Sequence, residues 1–304
     1  MTRRDRILPW INSKGAGLEI GPGPYPVLPK SAGYKVEIVD CEPREKLLEK
    51  FQGYKSDHPI EEVDYLWSGQ TYAELTGKTN HYDYIVACHV IEHTPDLIAF
   101  LNDCETVLNE QGVLALVVPD KRYCFDHFRP LTGLARVVDS HAGQNRIHSQ
   151  GTAAEYFMQV VSRGGQNDWH NFSMGQFAHI HTAQEAKLAI RAIQNERKFL
   201  DLHAWCFVPS SFRLLMNDLY LLGYTQLREV AFYPTEGCEF TVLLGRSGQG
   251  PGVSRLELNQ ATQRECVEPG WLKKALCRVG NKLKNLARGT PRLHEFACKW
   301  PKAH

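Results

Sequence analysis

Apolar runs typical of buried strands recur through the first 120 residues and alternate with segments of helical spacing. The runs that predict strands are Leu18–Ile20, Tyr34–Asp40, Val63–Trp67, Tyr82–Cys88 and Val113–Pro119. Between them, Pro43–Phe51 and the segment after Pro95 carry apolar residues at intervals of three and four, which predicts amphipathic helices. Strands that alternate with helices predict an α/β fold with a parallel, doubly wound sheet.

Residues 120–207 break this alternation because they are rich in aromatic, histidine and polar residues. Only Ala153–Val161 and Ala183–Lys198 have the pattern of regular structure there. We expect an α-rich insertion that covers the carboxyl ends of the strands, where ligands bind in such folds. A closing hairpin of Leu227–Tyr233 and Glu239–Gly245 completes the prediction, which is a seven-stranded Rossmann-like sheet whose last strand is antiparallel.

The same patterns divide the chain into five segments. The first part of the sheet occupies residues 1–119, the insertion 120–207 and the completion of the sheet 208–247. Residues 248–267 begin with a glycine-rich stretch and are assigned to a linker. The final segment, 268–304, carries nine basic and two acidic residues and has apolar residues at helical spacing. That pattern fits an anionic membrane surface, and it equally fits a helix that docks on this protein or on a partner.

The composition narrows the class of protein. With 304 residues, 43% of them hydrophobic, the chain is long enough for one large domain with an insertion. A formal net charge of +1 does not predict nucleic-acid binding, and no apolar run reaches the length of a membrane-spanning helix. Nine cysteines without a C-x-x-C pair predict reduced thiols in a cytoplasmic protein, and no sequence motif predicts a metal site.

The sharpest local signal is the turn after the first predicted strand. Gly21 and Gly23 stand one residue apart, and glycine allows a loop to take positive φ and to approach a ligand closely. Glu19 precedes them, where a carboxylate could meet a cation or an amine. Asp40 ends the second strand roughly 20 residues further on, where doubly wound folds place the carboxylate that binds a ribose. The alternative for Asp40 is a cap on the next turn.

These motifs, in this order, resemble the class I S-adenosylmethionine-dependent methyltransferases, in particular a bacterial branch often found with glycan-assembly genes. The matching segments are Leu18–Gly23, Val39–Asp40, Tyr82–His93, Val107–Gly112 and Pro119–Tyr123. The resemblance implies that S-adenosylmethionine is the cofactor and that residues 1–119 form the half of the domain that binds it. The sequence departs from the family in the proline-rich stretch after Gly23, where the family has more glycine and a longer helix.

The resemblance also implies roles for individual side chains around the cofactor. The methionine part would contact Glu19, Gly21 and Gly23, the ribose Asp40, the adenine Trp67 and Ser68, and the sulfonium region His89. These roles follow from the family pattern at matching positions.

Transfer of a methyl group to a hydroxyl requires alignment of the two groups and a base that takes the hydroxyl proton. Three side chains near predicted strand ends or in the insertion are candidates for that base: His93, Asp120 and His203. Each has a structural alternative, which is a histidine bonded to backbone for His93, a loop cap for Asp120 and a satisfied structural histidine for His203. Trp169 and Trp205 could stack on a sugar, with core packing as the alternative.

The expected function is O-methylation of a sugar hydroxyl on a glycan or lipid-linked glycan. The enzyme would be cytoplasmic and would reach the inner membrane face through residues 268–304. A small phenolic or quinone-like acceptor is an alternative substrate, and a non-catalytic protein that uses the fold to bind a partner is an alternative of another class. A dehydrogenase is disfavoured because the third glycine of its fingerprint is absent and its fold does not predict the closing hairpin.

Overall fold

The computed structural model describes residues 1–53, 58–169 and 175–267. The chain divides into two units, Met1–Thr262 and Gln263–His304. All strands and all residues of the candidate site belong to the first unit. The basic segment predicted at 268–304 lies outside the described residues. Within the described ranges, no helix combines the length and the apolar character that a bilayer crossing requires.

Nine strands in the described part of the chain form one large sheet and one small hairpin. They are β1 (Gly17–Ile20), β2 (Val36–Asp40), β3 (Tyr65–Leu66), β4 (Tyr82–Cys88), β5 (Leu108–Pro119), β6 (Val161–Arg163), β7 (Phe177–His179), β8 (Arg228–Glu236) and β9 (Glu239–Gly245). The large sheet has the order β3-β2-β1-β4-β5-β9-β8. Strands β1 to β5 are parallel, whereas β9 is antiparallel to both of its neighbours. The predicted seven-stranded Rossmann-like sheet is confirmed.

Nine α-helices are present in the same described ranges. They are α1 (Arg3–Ile7), α2 (Arg44–Lys50), α3 (Tyr72–Thr76), α4 (Leu97–Val107), α5 (Leu134–Ala142), α6 (Gln150–Gln159), α7 (Ala183–Glu196), α8 (Pro209–Leu221) and α9 (Arg255–Cys266). Between β1 and β2 there is only a 3-10 turn, Lys30–Ala32. This agrees with the proline-rich sequence there, because proline is tolerated only in the first turn of a helix.

Both faces of the sheet are buried. Successive side chains of each central strand point to opposite faces, and each face is covered by its own apolar cluster. In β4, Ile85 and Ala87 join one apolar cluster, whereas Tyr84 and Val86 join the other. Helices α4 and α8 contribute to the first cluster, and Ile7 of α1 contributes to the second. A short continuous apolar run such as β4 therefore marks a strand that is covered on both sides.

Strand β5 begins earlier than predicted. The sequence analysis takes Asn109–Gly112 as a break before the strand, but Leu108 already pairs with Tyr82 of β4. The pairing register then shifts, as it does at a β-bulge. A Cβ on Gly112 would lie 2.8 Å from the carbonyl oxygen of Tyr82, so this position requires glycine. The glycine that suggested a break is needed for close approach of two backbones.

The insertion contains more regular structure than predicted. Helices α6 and α7 occupy the two predicted segments, and they pack together through Ala153, Ala189 and Ile193. The sequence analysis missed α5 and the β6–β7 hairpin. Strands of three residues are too short to show a period of two, and α5 offers only a few apolar positions. Leu134, Val137 and Val138 of α5 nevertheless pack against the main core.

Residues 248–267 are not a linker throughout, because α9 occupies most of that segment. Ser254 Oγ accepts the Glu257 N–H at 3.2 Å, and the Glu257 carboxylate accepts the Ser254 N–H at 2.8 Å. This reciprocal pair is a capping box that starts the helix. Arg255 then donates to the Asp218 carboxylate of α8 at 2.6 and 3.0 Å. Only the stretch from 248 to 254 lacks regular structure.

Candidate active site

The loop after β1 is held from inside by Glu19. Its carboxylate accepts the N–H of Val27 at 2.6 Å and of Leu28 at 3.2 Å, and the side chain is almost wholly buried. Gly21 and Gly23 take φ values of 58° and 51°, which favour glycine. Burial raises the pKa of Glu19 to about 7, and the two N–H bonds limit that rise. Glu19 thus shapes the loop, and its implied contact with the cofactor stays a prediction.

Asp40 lies beside the glycine turn. The Gly21 N–H donates to the Val39 carbonyl at 2.8 Å, which joins the ends of β1 and β2. Asp40 is mostly buried, and its carboxylate accepts the Glu42 N–H at 3.2 Å. Burial raises the pKa of Asp40, although hydrogen bonds from Glu42 and Cys41 oppose the rise. The turn-capping alternative is therefore present, and it is compatible with ribose binding because a carboxylate accepts several hydrogen bonds.

Trp67 and Ser68 follow β3 at the same edge of the sheet. Leu66 pairs with Asp40, and the Trp67 N–H donates to the Asp40 carbonyl at 2.8 Å. The Trp67 indole N–H donates to the Gln70 carbonyl at 2.7 Å, and the Ser68 N–H donates to the Gln70 side chain at 2.8 Å. These bonds fix a turn beside Asp40. Trp67 and Ser68 lie beside Asp40, which suits the implied contact with adenine, and that contact stays a prediction.

His89 follows β4 and takes an unusual backbone conformation, with φ of 54°. Its Nε2 lies 2.8 Å from Glu239 Oε2, and Arg3 donates to the same carboxylate. Burial would raise the pKa of Glu239, but the bonds and charges of Arg3 and His89 outweigh it and lower the pKa to about 2. Since an ionised carboxylate only accepts, His89 Nε2 carries the proton in this bond. Its Nδ1 lies 3.6 Å from Glu92 Oε1.

Glu92 is the most unusual side chain of the site. It lies in a 3-10 turn, Ile91–His93, and its side chain is 0% exposed. Neither carboxylate oxygen has a hydrogen-bond partner among the described residues. Val90, two residues before Glu92, lies next to the glycine loop, because a Cβ on Gly21 would lie 3.4 Å from Val90 Cγ2. Glu92 is therefore a buried carboxylate two residues along the chain from a neighbour of the loop expected to hold the cofactor.

His203 is placed against Glu92 by backbone pairing of the next residue, since the Ala204 N–H donates to the Glu92 carbonyl at 2.6 Å. Its Nδ1 lies 2.5 Å from Asp126 Oδ2, and its Nε2 lies 3.9 Å from Glu92 Oε1. Burial would raise the pKa of Asp126, but His203 and Arg129 outweigh it and lower the pKa to about 2. Nδ1 of His203 therefore donates to Asp126, and Nε2 is the ring nitrogen on the Glu92 side.

His93 lies against Asp201 as His203 lies against Asp126. Its Nδ1 lies 2.7 Å from Asp201 Oδ1, so its partner is a carboxylate and not the expected backbone group. Burial would lower the pKa of His93, but the bond to Asp201 and the charges of Glu92, Asp201 and Asp126 outweigh it and raise the pKa. The same bond is the main cause that lowers the pKa of Asp201 to about 2. The His93 ring also packs edge-on against His203, with centroids 4.6 Å apart.

Three histidines, His89, His93 and His203, thus surround Glu92, each with one ring nitrogen against a carboxylate. We call these three histidines and Glu92 the histidine cluster. The sequence analysis named the histidines as site residues, but it gave Glu92 no role and did not predict the pairing of the histidines with carboxylates. Glu92 lies inside the segment after β4 that resembles the family, so its position in the sequence could have marked it as a site residue. The supporting carboxylates are distant in sequence, and only the fold brings them to the cluster.

Asp120 does not join the histidine cluster. Its side chain is fully buried, and both carboxylate oxygens accept hydrogen bonds from the Arg122 guanidinium. Thr235 Oγ1 donates to Oδ2 at 2.6 Å, and the Arg122 N–H donates to Oδ1 at 3.1 Å. Asp120 is therefore saturated by its own loop and by β8. The structure supports the loop cap and gives this carboxylate no free site for a hydroxyl proton.

The two tryptophans considered for sugar stacking, Trp169 and Trp205, are both buried. Trp205 donates its indole N–H to the Thr94 carbonyl at 2.7 Å, as a core residue does. The exposed aromatic residues in the described part of the insertion include Phe128 and Phe177, whose ring centroids lie 4.9 Å apart. We call this pair the phenylalanine patch. The core-packing alternative is thus what the structure shows for both tryptophans.

The chain is similar to several known proteins. A family model described as a methyltransferase domain matches residues 1–191. Among solved structures, similar chains include the CurJ carbon methyltransferase (16% identity, 77% of this chain and 49% of that chain, TM-score 0.36) and the trans-methyltransferase CalH in complex with SAH (16%, 77% and 51%, TM-score 0.37). A third is the CcbJ methyltransferase from Streptomyces caelestis (11%, 80% and 93%, TM-score 0.41). The aligned region spans about half the length of the first two. No curated protein sequence matches the chain.

The residues at the ends of β1 and β2 fit the cofactor of that family. Gly21 and Gly23 keep the loop free of side chains at positive φ, so a ligand can approach the backbone there. Asp40 supplies a carboxylate at the end of β2, which suits a ribose diol. The cofactor is S-adenosylmethionine, and the protein is an enzyme. The chain belongs to the methyltransferase-domain family of S-adenosylmethionine-dependent methyltransferases.

Proposed function

We propose that this methyltransferase transfers the methyl group to a hydroxyl oxygen, and that the acceptor is a sugar of a glycan or lipid-linked glycan. The observation that carries the proposal is the histidine cluster beside the glycine loop. An oxygen acceptor must lose a proton, and histidine is the side chain best suited to take one near neutral pH. A methyltransferase that acts on an already ionised acceptor would not need such a cluster.

When bound, S-adenosylmethionine would supply a methyl carbon on a sulfonium; the acceptor oxygen would bond to that carbon as its bond to sulfur breaks, which leaves a neutral thioether. The chain must bring the oxygen and the methyl carbon close and aligned, which can contribute several kcal/mol. The hydroxyl proton passes to a histidine ring nitrogen whose lone pair is available. His89 and His93 are the accessible members of the cluster, with about a third of each side chain exposed.

The supporting carboxylates fix which nitrogen is available. Glu239 holds the protonated Nε2 of His89, and Asp201 Oδ1 lies 2.7 Å from Nδ1 of His93 as its ion-pair partner. The opposite nitrogen of each ring is therefore the basic one. A carboxylate behind a histidine also stabilises the imidazolium that forms when the ring takes the proton. This arrangement supports proton removal from an acceptor hydroxyl.

The phenylalanine patch supports a ring-shaped acceptor. His127, the residue after Asp126, stacks on Phe177 with centroids 4.9 Å apart and an interplanar angle of 23°. The patch thus adjoins a loop that also holds His203. Exposed aromatic faces stack on the apolar faces of sugars, and they stack equally on aromatic rings. A phenolic acceptor is therefore the second candidate, for which this same patch is the supporting observation.

The site of action is proposed from the sequence of residues 268–304. A basic segment with apolar residues at helical spacing favours an anionic membrane surface, where a lipid-linked glycan would be within reach. The enzyme would then act in the cytoplasm, at the inner face of the membrane.

The test is transfer of an isotopically labelled methyl group from S-adenosylmethionine to a panel of sugars, oligosaccharides and simple phenols. We expect labelled sugar ethers and a 10²- to 10⁴-fold lower rate for His93→Gln, the range typical of loss of a general base. His141→Gln is the matched control, because His141 also pairs with a carboxylate, Asp96 at 3.0 Å, outside the histidine cluster. Label on phenols alone would contradict the sugar assignment, and an unchanged rate for His93→Gln would contradict the role of the cluster.

A further inference from the structure

One group of the histidine cluster still needs a partner: the buried carboxyl of Glu92, which has no hydrogen-bond donor among the described residues. A fully buried carboxylate without a hydrogen-bond donor is costly, by several kcal/mol, unless a cation or a proton offsets it. Among the described residues, the nearest ring nitrogens lie at 3.6 Å (His89) and 3.9 Å (His203), beyond hydrogen-bond distance. These gaps are too long for direct hydrogen bonds, and they leave room for an ion between the groups.

The donor atoms around Glu92 converge. One ligand atom from each of Glu92, His93 and His203 lies within 4.8 Å of the others. Ligands on one metal ion, at about 2.0–2.2 Å from it, are separated by comparable distances of about 3–4 Å. Two imidazoles and one carboxylate are a common protein ligand set for a divalent transition metal, with further positions left for water or substrate.

The surroundings of the two histidines match those of metal ligands. A histidine bound to a metal usually donates its other ring N–H to a carboxylate, which fixes the ring and raises its basicity. Asp126 lies 2.5 Å from Nδ1 of His203, and Asp201 lies 2.7 Å from Nδ1 of His93. His203 then directs Nε2 toward Glu92. Both histidines are therefore oriented by carboxylates outside the converging set.

The charge of the surroundings also favours a cation. The carboxylates of Asp126 and Asp201 lie in direct contact with His203 and His93. Arg129 offsets part of their negative charge, since it donates to Asp126 at 2.7 Å and to Glu155 at 3.0 Å. A divalent ion beside Glu92 would balance the remainder.

We propose that Glu92, His93 and His203 bind one divalent transition-metal ion at the carboxyl end of β4. An ion of this type lowers the pKa of a hydroxyl bound to it, as it does for bound water. The ion would hold the acceptor oxygen beside the cofactor loop, and the hydroxyl proton would pass to His89, the member of the histidine cluster outside the ligand set. His93 would then act on the acceptor through the ion. This catalytic part rests on the proposed function, whereas the binding of the ion does not.

The direct test is titration of the metal-free, untagged full chain with CoCl₂, monitored by the visible absorption of bound Co²⁺ and by calorimetry. We expect one equivalent to bind the wild type. His203→Gln and Glu92→Gln should bind at least about tenfold more weakly, and Asp201→Asn about 10- to 100-fold more weakly, the usual effect of losing a carboxylate behind a ligand. Asp201 is largely exposed, so its variant separates a ligand effect from a folding defect.

His141→Gln should bind Co²⁺ like the wild type. Equal binding by wild type, Glu92→Gln and Asp201→Asn, or no stoichiometric binding by the wild type, would overturn the proposed site. Methyl transfer measured with and without a chelator separates this inference from the proposed function. Transfer that persists without metal would reject the ion while leaving the function intact, and stoichiometric binding without transfer to any hydroxyl would reject the function alone.

Discussion

The stability of this protein should depend on pH through Glu19, the buried carboxylate that holds the loop after β1. Its pKa is about 7 in the fold and about 4.5 in an unfolded chain. Because the folded value is the higher one, the contribution of Glu19 is fully present below pH 4.5 and is lost as the pH rises through 7. The difference of 7 minus 4.5 corresponds to about 3 kcal/mol at 1.36 kcal/mol per unit.

Glu19→Gln removes the ionisation and keeps the shape. The glutamine amide can accept only one of the two N–H groups of Val27 and Leu28, so one buried donor loses its partner, at a cost of about 1–3 kcal/mol. The wild type should therefore be the more stable protein at pH 5. The stability advantage of the wild type over Glu19→Gln should shrink by about 2.5 kcal/mol between pH 5 and pH 8, because only the wild type must ionise a buried carboxyl.

Urea denaturation, followed by tryptophan fluorescence at several pH values, measures this difference directly. The matched control is Glu257→Gln, which removes an exposed capping carboxylate whose pKa is lowered by hydrogen bonds with Ser254. The difference in unfolding free energy between Glu257→Gln and the wild type should not decrease as the pH rises above 5. A difference between wild type and Glu19→Gln that is flat, or that grows with pH, would refute the assignment of a raised pKa to Glu19.

Three further variants test single features. Gly21→Ala should lower the free energy of unfolding by about 1–2 kcal/mol, measured by urea denaturation, because alanine is strained at φ of 58°; no loss would contradict the strained turn. Asp120→Asn should lower the melting temperature by weakening the Arg122 and Thr235 contacts while leaving the chemical step unchanged, and a large fall in single-turnover rate at full folding would restore Asp120 as a base. Phe177→Ala should raise KM for the acceptor several-fold with little change in kcat, and a fall in kcat alone would argue against stacking.

The strands were predictable because their periodicity is local. The β4 segment Tyr82–Cys88 was placed with the observed bounds, since a sheet covered on both faces selects a short continuous apolar run. The early start of β5 was not predictable, because the bulge after Leu108 depends on pairing with β4. The β6–β7 hairpin was missed for a related reason, since three-residue strands are defined by their partner and hardly by their own sequence.

The site was predictable in position and only partly in composition. Parallel strands end at one edge, so His93 was expected there from the order of the elements, whereas His89 was expected there from the family resemblance. Asp201 and Asp126 become partners of histidines through the path of the insertion, which no local pattern encodes. Asp120 shows the converse case. From the sequence alone, a carboxylate at a strand end is a candidate base. In the structure, Arg122 and Thr235 donate hydrogen bonds to the two oxygens of Asp120.

The measurement that tests the central claim most directly is calorimetric titration of the full chain with S-adenosylhomocysteine, for wild type and Asp40→Asn. We expect one micromolar site in the wild type. The variant should bind about 10- to 100-fold more weakly, because it loses charge-assisted hydrogen bonds worth about 1.5–3 kcal/mol. Absence of binding to the folded wild type would contradict the assignment of this chain as an S-adenosylmethionine-dependent enzyme, and equal binding by both proteins would contradict the cofactor site at the end of β2.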